Sequence, residues 1–202
     1  MSWDELPEHL KNNDPRIKGL ISKRAGEIFE QIIEASLIWY EGQKLACIEK
    51  TPEPMKPLRP PNRQGQFLAC YTKAGQPDFK GTLAPGRSVV FEAKHTDSDR
   101  VKYDRLTDEQ VMKLGTHHAL GAIAFVLVSF GLQDFYRIPW QVWRDMKAIY
   151  GRKYLLKTEL GQYRVPYENG VIKIFKEPYI DPEILEIMSK PISPIRLKGG
   201  EL

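Results

Sequence analysis

With 202 residues, 42% of them apolar and 28% charged, the chain is long enough for one domain with a full hydrophobic core and too apolar to be disordered or collagenous. A formal charge of +4, from 30 Lys and Arg against 26 Asp and Glu, permits a nucleic-acid partner without requiring one. Cys47 and Cys70 cannot build a disulfide framework or a four-thiolate zinc site, no apolar run approaches the roughly 20 residues of a membrane span, and Met1–Lys11 is too polar for a secretory signal; these features predict a cytoplasmic protein away from membranes.

Residues 1–15 show no clear period and read as an N-terminal arm. From Leu20 to Ser36, the side chains of Ile21, Ala25, Ile28, Phe29, Ile32 and Ile33 recur at helical spacing, with Lys23, Glu27, Glu30 and Glu34 opposite, which predicts an amphipathic helix. Leu37–Glu49 mixes aromatic and aliphatic residues around Glu41-Gly42-Gln43 and reads as strand material with a turn. Pro52, Pro54, Pro57, Pro60 and Pro61 exclude helix interior and central strand, and Gln66–Thr72 can return as a strand. Residues 54–75 are therefore expected to project as a stalk.

Val89-Val90-Phe91 and Ile123–Ser129 carry the unbroken apolar character of strands covered on both faces. Between them, Thr107 followed by Gln110 is a capping-box pattern that opens a helix through about Leu120. Gln133–Ile138 predicts a further strand, Pro139 the start of a helix to about Tyr150, and Asn169-Gly170 a hairpin turn. The expectation is one α/β domain over residues 16–188, with a central sheet flanked by helices, and a C-terminal tail over 189–202.

Two features carry chemistry. The stalk holds Lys56, Arg59, Arg63 and Lys73 with no acid between them, interleaved with Phe67 and Tyr71; it reads either as a phosphate-contacting surface or as a solvated basic loop. Beyond it come Pro77-Asp78 and Glu92-Ala93-Lys94, the latter at the end of a predicted strand. Residues two apart on a strand share a face, so Glu92 and Lys94 project together and Asp78 can join them if its segment pairs alongside. Two carboxylates and a main-chain carbonyl form a hard oxygen site suited to Mg²⁺ or Mn²⁺, and a neighbouring lysine can orient a water. The same acid-x-Lys spacing at Asp145-Met146-Lys147 falls in a predicted helix, where the two side chains do not share a face. The bland reading of Glu92 and Lys94 is a salt bridge on an edge strand. His117-His118 reads as a helix-face pair, and His95 as a DNA contact or a solvent-facing side chain.

Pro77-Asp78 with Glu92-Ala93-Lys94 resembles the PD-(D/E)XK nuclease signature, and the surroundings resemble the RecU family of Holliday junction resolvases. The matching segments are Gly26–Glu30, Ile48–Pro52, Asp78–Gly81, Phe91–Thr96, Leu106–Gln110, Gly151–Lys153 and Glu159-Leu160, in order over residues 20–188. The resemblance implies a restriction-endonuclease-like core acting as a homodimer on four-way branched DNA, with the stalks rising toward the junction centre, and branch-migration or recombination proteins as further partners. It makes Asp78 and Glu92 ligands of Mg²⁺, with Mn²⁺ able to substitute, and Ala93 a ligand through its carbonyl. Lys94 becomes the water-orienting residue, Glu30 an acid near the metal, and Gln110 a support at the start of its helix. Without the resemblance, Glu30 is one more solvated acid beside Glu27 and Glu34. Family members often carry a hydroxyl residue just before the aspartate, where this chain has Gln76-Pro77. Rival expectations are a related endonuclease acting on linear duplex or repair intermediates, and a non-catalytic junction-binding factor.

Overall fold

A computed structural model describes residues 15–52, 54–71 and 76–175. Of the expected arm over residues 1–15, Pro15 belongs to the first helix and the rest lies outside the described residues, as do the tail over 189–202 and Lys73. The first helix, α1, spans Pro15–Gly42 and is longer at both ends than the Leu20–Ser36 pattern suggested. Its buried stripe of Phe29, Ile33, Leu37 and Tyr40 keeps the helical period through the segment expected to be strand. The strand that follows, β1, is confined to Ala46–Lys50.

The remaining strands are β2 (Met55–Pro57), β3 (Ala69–Tyr71), β4 (Phe79–Leu83), β5 (Arg87–Thr96), β6 (Arg100–Lys102), β7 (Ile123–Phe130), β8 (Asp134–Pro139), β9 (Tyr154–Leu156), β10 (Arg164–Val165), β11 (Tyr167–Glu168) and β12 (Val171–Ile172). A six-stranded mixed sheet runs β1-β4-β5-β7-β8-β10. Its one parallel pair is β5 with β7, in register from Val89–Ile123 to Thr96–Phe130. Helix α2 (Asp108–Ala119) makes the crossover between them, as a parallel pair requires. The helix expected over 139–150 is two short ones, α3 (Trp140–Arg144) and α4 (Met146–Tyr150), separated at Asp145. Asn169-Gly170 turns the β11–β12 hairpin with both residues at positive φ, 53° and 79°, which is the backbone a two-residue hairpin turn needs.

The pleat of the sheet separates two cores. Phe79, Phe91 and Phe125 stack across β4, β5 and β7 at 4.8 and 4.7 Å and pack with Phe29 and Ile33 of α1. On the other face, Val90, Val126 and Ile138 pack with Leu114 of α2 and Trp140 and Trp143 of α3. The result is a three-layer α/β fold with a central mixed sheet and helices on both faces, as expected. No helix among the described residues is long and apolar enough to cross a membrane.

Strands β2 and β3 form a separate antiparallel hairpin, with Lys56 opposite Cys70. Residues 55–68 are exposed throughout, so the proline-rich insertion does project. Its tip is held by Asn62, whose side-chain oxygen accepts from the backbone N–H groups of Gln64 and Gln66 at 3.0 and 2.9 Å. Lys56, Arg59 and Arg63 all stand on this exposed surface.

Candidate active site

The two faces of the sheet decide which acids meet. Phe79 and Phe91 are register partners facing α1, so their chain neighbours Asp78 and Glu92 lie toward α2. Asp78 Oδ2 accepts from the backbone N–H of Ala93 at 3.1 Å, which closes the end of β4 onto β5. Lys94 Nζ lies 3.1 Å from Glu92 Oε2 and 3.6 Å from Asp78 Oδ2. The side chain of Glu92 is fully buried, so the edge-strand salt bridge on the surface is not what the chain builds.

An extended residue sends its N–H and C=O to the same side, as the paired bonds of an antiparallel ladder show. The carbonyl of Ala93 therefore points, like its N–H, past the end of β4 toward Asp78.

Gln110 closes the group from above. Its amide Nε2 donates to Glu92 Oε2, while its Oε1 accepts from the backbone N–H of Thr107 at 3.1 Å. Thr107 Oγ1 in turn accepts from the N–H of Gln110 at 3.2 Å, so the expected capping box is complete.

Burial is the main cause of a Glu92 carboxyl pushed up to about 8, with the nearby Asp78 charge adding to the shift and Lys94 opposing it. Its second oxygen, Oε1, is buried without a hydrogen-bond partner among the described residues. A carboxylate with an unmatched buried oxygen, a second carboxylate beside it and a main-chain carbonyl aimed at the same space is a hard-oxygen donor set, which fits Mg²⁺ or Mn²⁺. No third His, Cys, Asp or Glu joins this pair among the described residues.

Glu30 is not brought into this group. It pairs with Lys50 at 2.8 Å, and Lys50, the register partner of Phe79, belongs to the α1 side of the sheet. Lys50 also holds Glu34 at 3.3 Å. The structure thus brings Asp78, Glu92, Ala93, Lys94 and Gln110 together and leaves Glu30 in an ion-pair cluster on the opposite face.

His95 is buried, not a solvent-facing side chain. Its Nδ1 meets Ser129 Oγ at 3.3 Å and its Nε2 meets Asp97 Oδ1 at 3.0 Å, while Arg105 donates to its backbone carbonyl at 3.1 Å. These bonds fix the strand beyond Lys94, and only the continued pairing of β5 with β7 as far as Thr96 could have signalled them.

The family model of Recombination protein U, RecU, matches residues 24–181. A Holliday junction resolvase RecU of Lactococcus lactis subsp. lactis (strain IL1403) is 29% identical over 136 residues, 64% of this chain; the chain spans 63% of that relative's length. One of Streptococcus pneumoniae (strain Hungary19A-6) is 27% identical over 163 residues, 72% of this chain and 82% of the relative. Among solved structures, Archaeoglobus fulgidus Hjc, a Holliday junction resolvase from an archaeal hyperthermophile, aligns with a TM-score of 0.39 and 15% identity over 58% of this chain and 78% of that one. The family match takes in the exposed hairpin as well as Asp78, Glu92, Lys94 and Gln110, and the chain belongs to the RecU family.

Proposed function

We propose that the protein is a Holliday junction resolvase, a divalent-metal-dependent endodeoxyribonuclease that nicks four-way DNA junctions symmetrically as a homodimer in the cytoplasm. The observation that carries this reading is the convergence of Asp78, Glu92 and Lys94, with Lys94 Nζ between Asp78 Oδ2 and Glu92 Oε2, while the other Glu92 oxygen, Oε1, is buried without a partner among the described residues. Membership of the RecU family and the relatives' names point the same way.

Asp78, Glu92 and the Ala93 carbonyl would hold Mg²⁺, with Mn²⁺ able to substitute. Such a cation lowers the pKa of water and screens the phosphate under attack. Lys94 carries three N–H donors, two of which face Asp78 and Glu92. The third is left to hold the attacking water or a non-bridging phosphate oxygen. In the hydrolysis, the water oxygen bonds to phosphorus and gives up a proton, one bridging P–O bond breaks, and the departing sugar oxygen takes up a proton. Gln110 fixes Glu92 Oε2, so the remaining oxygen Oε1 keeps its aim. The β2–β3 hairpin supplies Lys56, Arg59 and Arg63 to the junction's phosphates, which gives affinity and register independent of base sequence. Lys73 would extend the same basic run.

The test is cleavage of a labelled four-way junction and a matched linear duplex, with and without Mg²⁺, read for nick positions on a denaturing gel. Symmetric, metal-dependent nicks confined to the junction are the expected result. Equal cutting of both substrates would replace the reading with a general endonuclease, and junction binding without cutting would leave a non-catalytic factor. Asp78→Asn, which removes charge without changing size, should abolish cleavage and keep junction binding.

A further inference from the structure

Thr51 stands one residue past the end of β1, and its backbone N–H donates to the carbonyl of Asp78 at 2.8 Å. That bond continues the β1–β4 ladder one pair beyond Lys50–Phe79, so Thr51 is directly opposite Asp78. Opposed residues of an antiparallel pair share a face and bring their Cβ atoms to about 4.5–5.5 Å. Lys50 and Phe79 belong to the α1 side, which places Thr51 with Asp78 and Glu92 on the α2 side. Thr51, Asp78 and Glu92 thus form one row across three neighbouring strands.

The hydroxyl of Thr51 is buried and has no hydrogen-bond partner among the described residues. Its counterpart at the other end of the row is Glu92 Oε1, buried and equally without a partner among them. Two unmatched buried oxygens on either side of one carboxylate are hard to account for separately, because each costs stability where it stands. A cation against Glu92 Oε1 with a bound water on its Thr51 side would satisfy both. The polar side chain nearest in sequence to Asp78 is already engaged elsewhere, since Gln76 Oε1 accepts from Lys80 Nζ at 2.6 Å.

Resting on the metal site proposed above, we infer that Thr51 is a positioning residue of that site, its Oγ1 hydrogen-bonding a water carried by the cation that Asp78 and Glu92 hold. Mg²⁺ sheds its waters reluctantly and binds proteins through one or two carboxylates, so those waters need fixed partners of their own. A hydroxyl both donates and accepts and meets a water in either orientation. With no third carboxylate in reach among the described residues, Thr51 is the side chain that fills this role on the Asp78 side.

The experiment is calorimetric titration of the full chain with Mn²⁺ and with Mg²⁺, in the absence of DNA, for the wild type, T51V and T51S. Valine keeps the shape and removes the hydroxyl; serine keeps the hydroxyl and removes the methyl. Loss of an outer-shell partner weakens metal binding by about 10–100-fold. T51V is expected to fall in that range, while T51S stays within about 3-fold of wild type, the hydroxyl being the group that counts. T51V binding as tightly as wild type overturns the inference and leaves the metal site standing. T51S binding as weakly as T51V also overturns it, because the methyl packing would then be what matters. A wild-type chain that binds neither cation removes the metal site itself, and this role with it. If T51V fails to fold, T51A against T51S makes the same comparison.

Discussion

Gln110 joins the cap of α2 to the carboxylate of Glu92 through a single amide: Oε1 accepts from Thr107 and Nε2 donates to Glu92. The two duties can be separated. Gln110→Glu keeps the acceptor that a capping box needs but exchanges the donor for a second carboxylate facing Glu92. It should leave thermal stability near wild type while lowering the single-turnover junction cleavage rate by about 10–100-fold. Gln110→Ala should lose the activity together with about 0.3–1.5 kcal/mol of cap stability. Wild-type cleavage by Gln110→Glu would show that the donation to Glu92 has no part in the reaction.

Glu92 makes the metal-free protein sensitive to pH. Its carboxyl is raised from 4.5 to about 8, chiefly by burial, so the folded chain binds this proton more tightly than the unfolded chain does. Stability from this group is therefore fully present below pH 4.5 and is lost as pH rises through about 8. Chelator-treated protein should show a melting temperature that falls across this window, and Glu92→Gln should flatten the fall. A bound cation reverses the preference by holding the carboxylate charged, so metal binding below pH 8 should release a proton. Calorimetry in two buffers of different ionisation enthalpy reads that release directly; equal apparent enthalpies in both buffers would contradict the shift.

Much of this was legible in the sequence because it is local. The capping box at Thr107, the turn at Asn169-Gly170 and the apolar runs of β5 and β7 each follow from neighbours a few residues apart. The end of α1 was not, because Ile38 and Trp39 add apolar residues off the buried stripe and blur the period that Leu37 and Tyr40 continue. Ile38 is 70% exposed, whereas Leu37 and Tyr40 are buried. Glu30 shows the limit more sharply. Periodicity put it on the polar face with Glu34, the family resemblance put it near the metal, and Lys50 holds both acids on the α1 side of the sheet. Which face a distant acid reaches is fixed by strand register, and no helical pattern encodes that.

The hairpin carries Lys56, Arg59 and Arg63 with no acid across the described residues 54–71. Changing both Arg59 and Arg63 to Gln should weaken four-way junction binding and lower the slope of log K against log salt by about 2, at roughly 0.9 for each phosphate that is no longer neutralised. Binding measured over a salt series is the check, with circular dichroism to confirm that removing the hairpin's charge leaves the fold intact. An unchanged slope would mean that these arginines do not touch the backbone of the bound DNA.

Gly81 explains part of the family-like Asp78–Gly81 segment without any role in chemistry. It pairs with Ile48 where β1 and β4 run very close: a Cβ on Gly81 would fall 2.1 Å from the Cys47 carbonyl oxygen and 2.5 Å from the Ile48 Cα. Both obstacles are backbone, so neither can swing aside as a side chain would. Gly81→Ala must part the two strands, at a cost of about 1–3 kcal/mol on the scale of an overpacked core. That same ladder ends in the Thr51–Asp78 bond, so the separation should reach the proposed metal site. The variant should lose both denaturant midpoint and cation affinity, whereas Gln110→Glu should lose activity with its midpoint held. Urea unfolding and Mn²⁺ titration on the two variants side by side make the comparison. A Gly81→Ala protein of wild-type stability would show that β1 and β4 can separate freely at this pair.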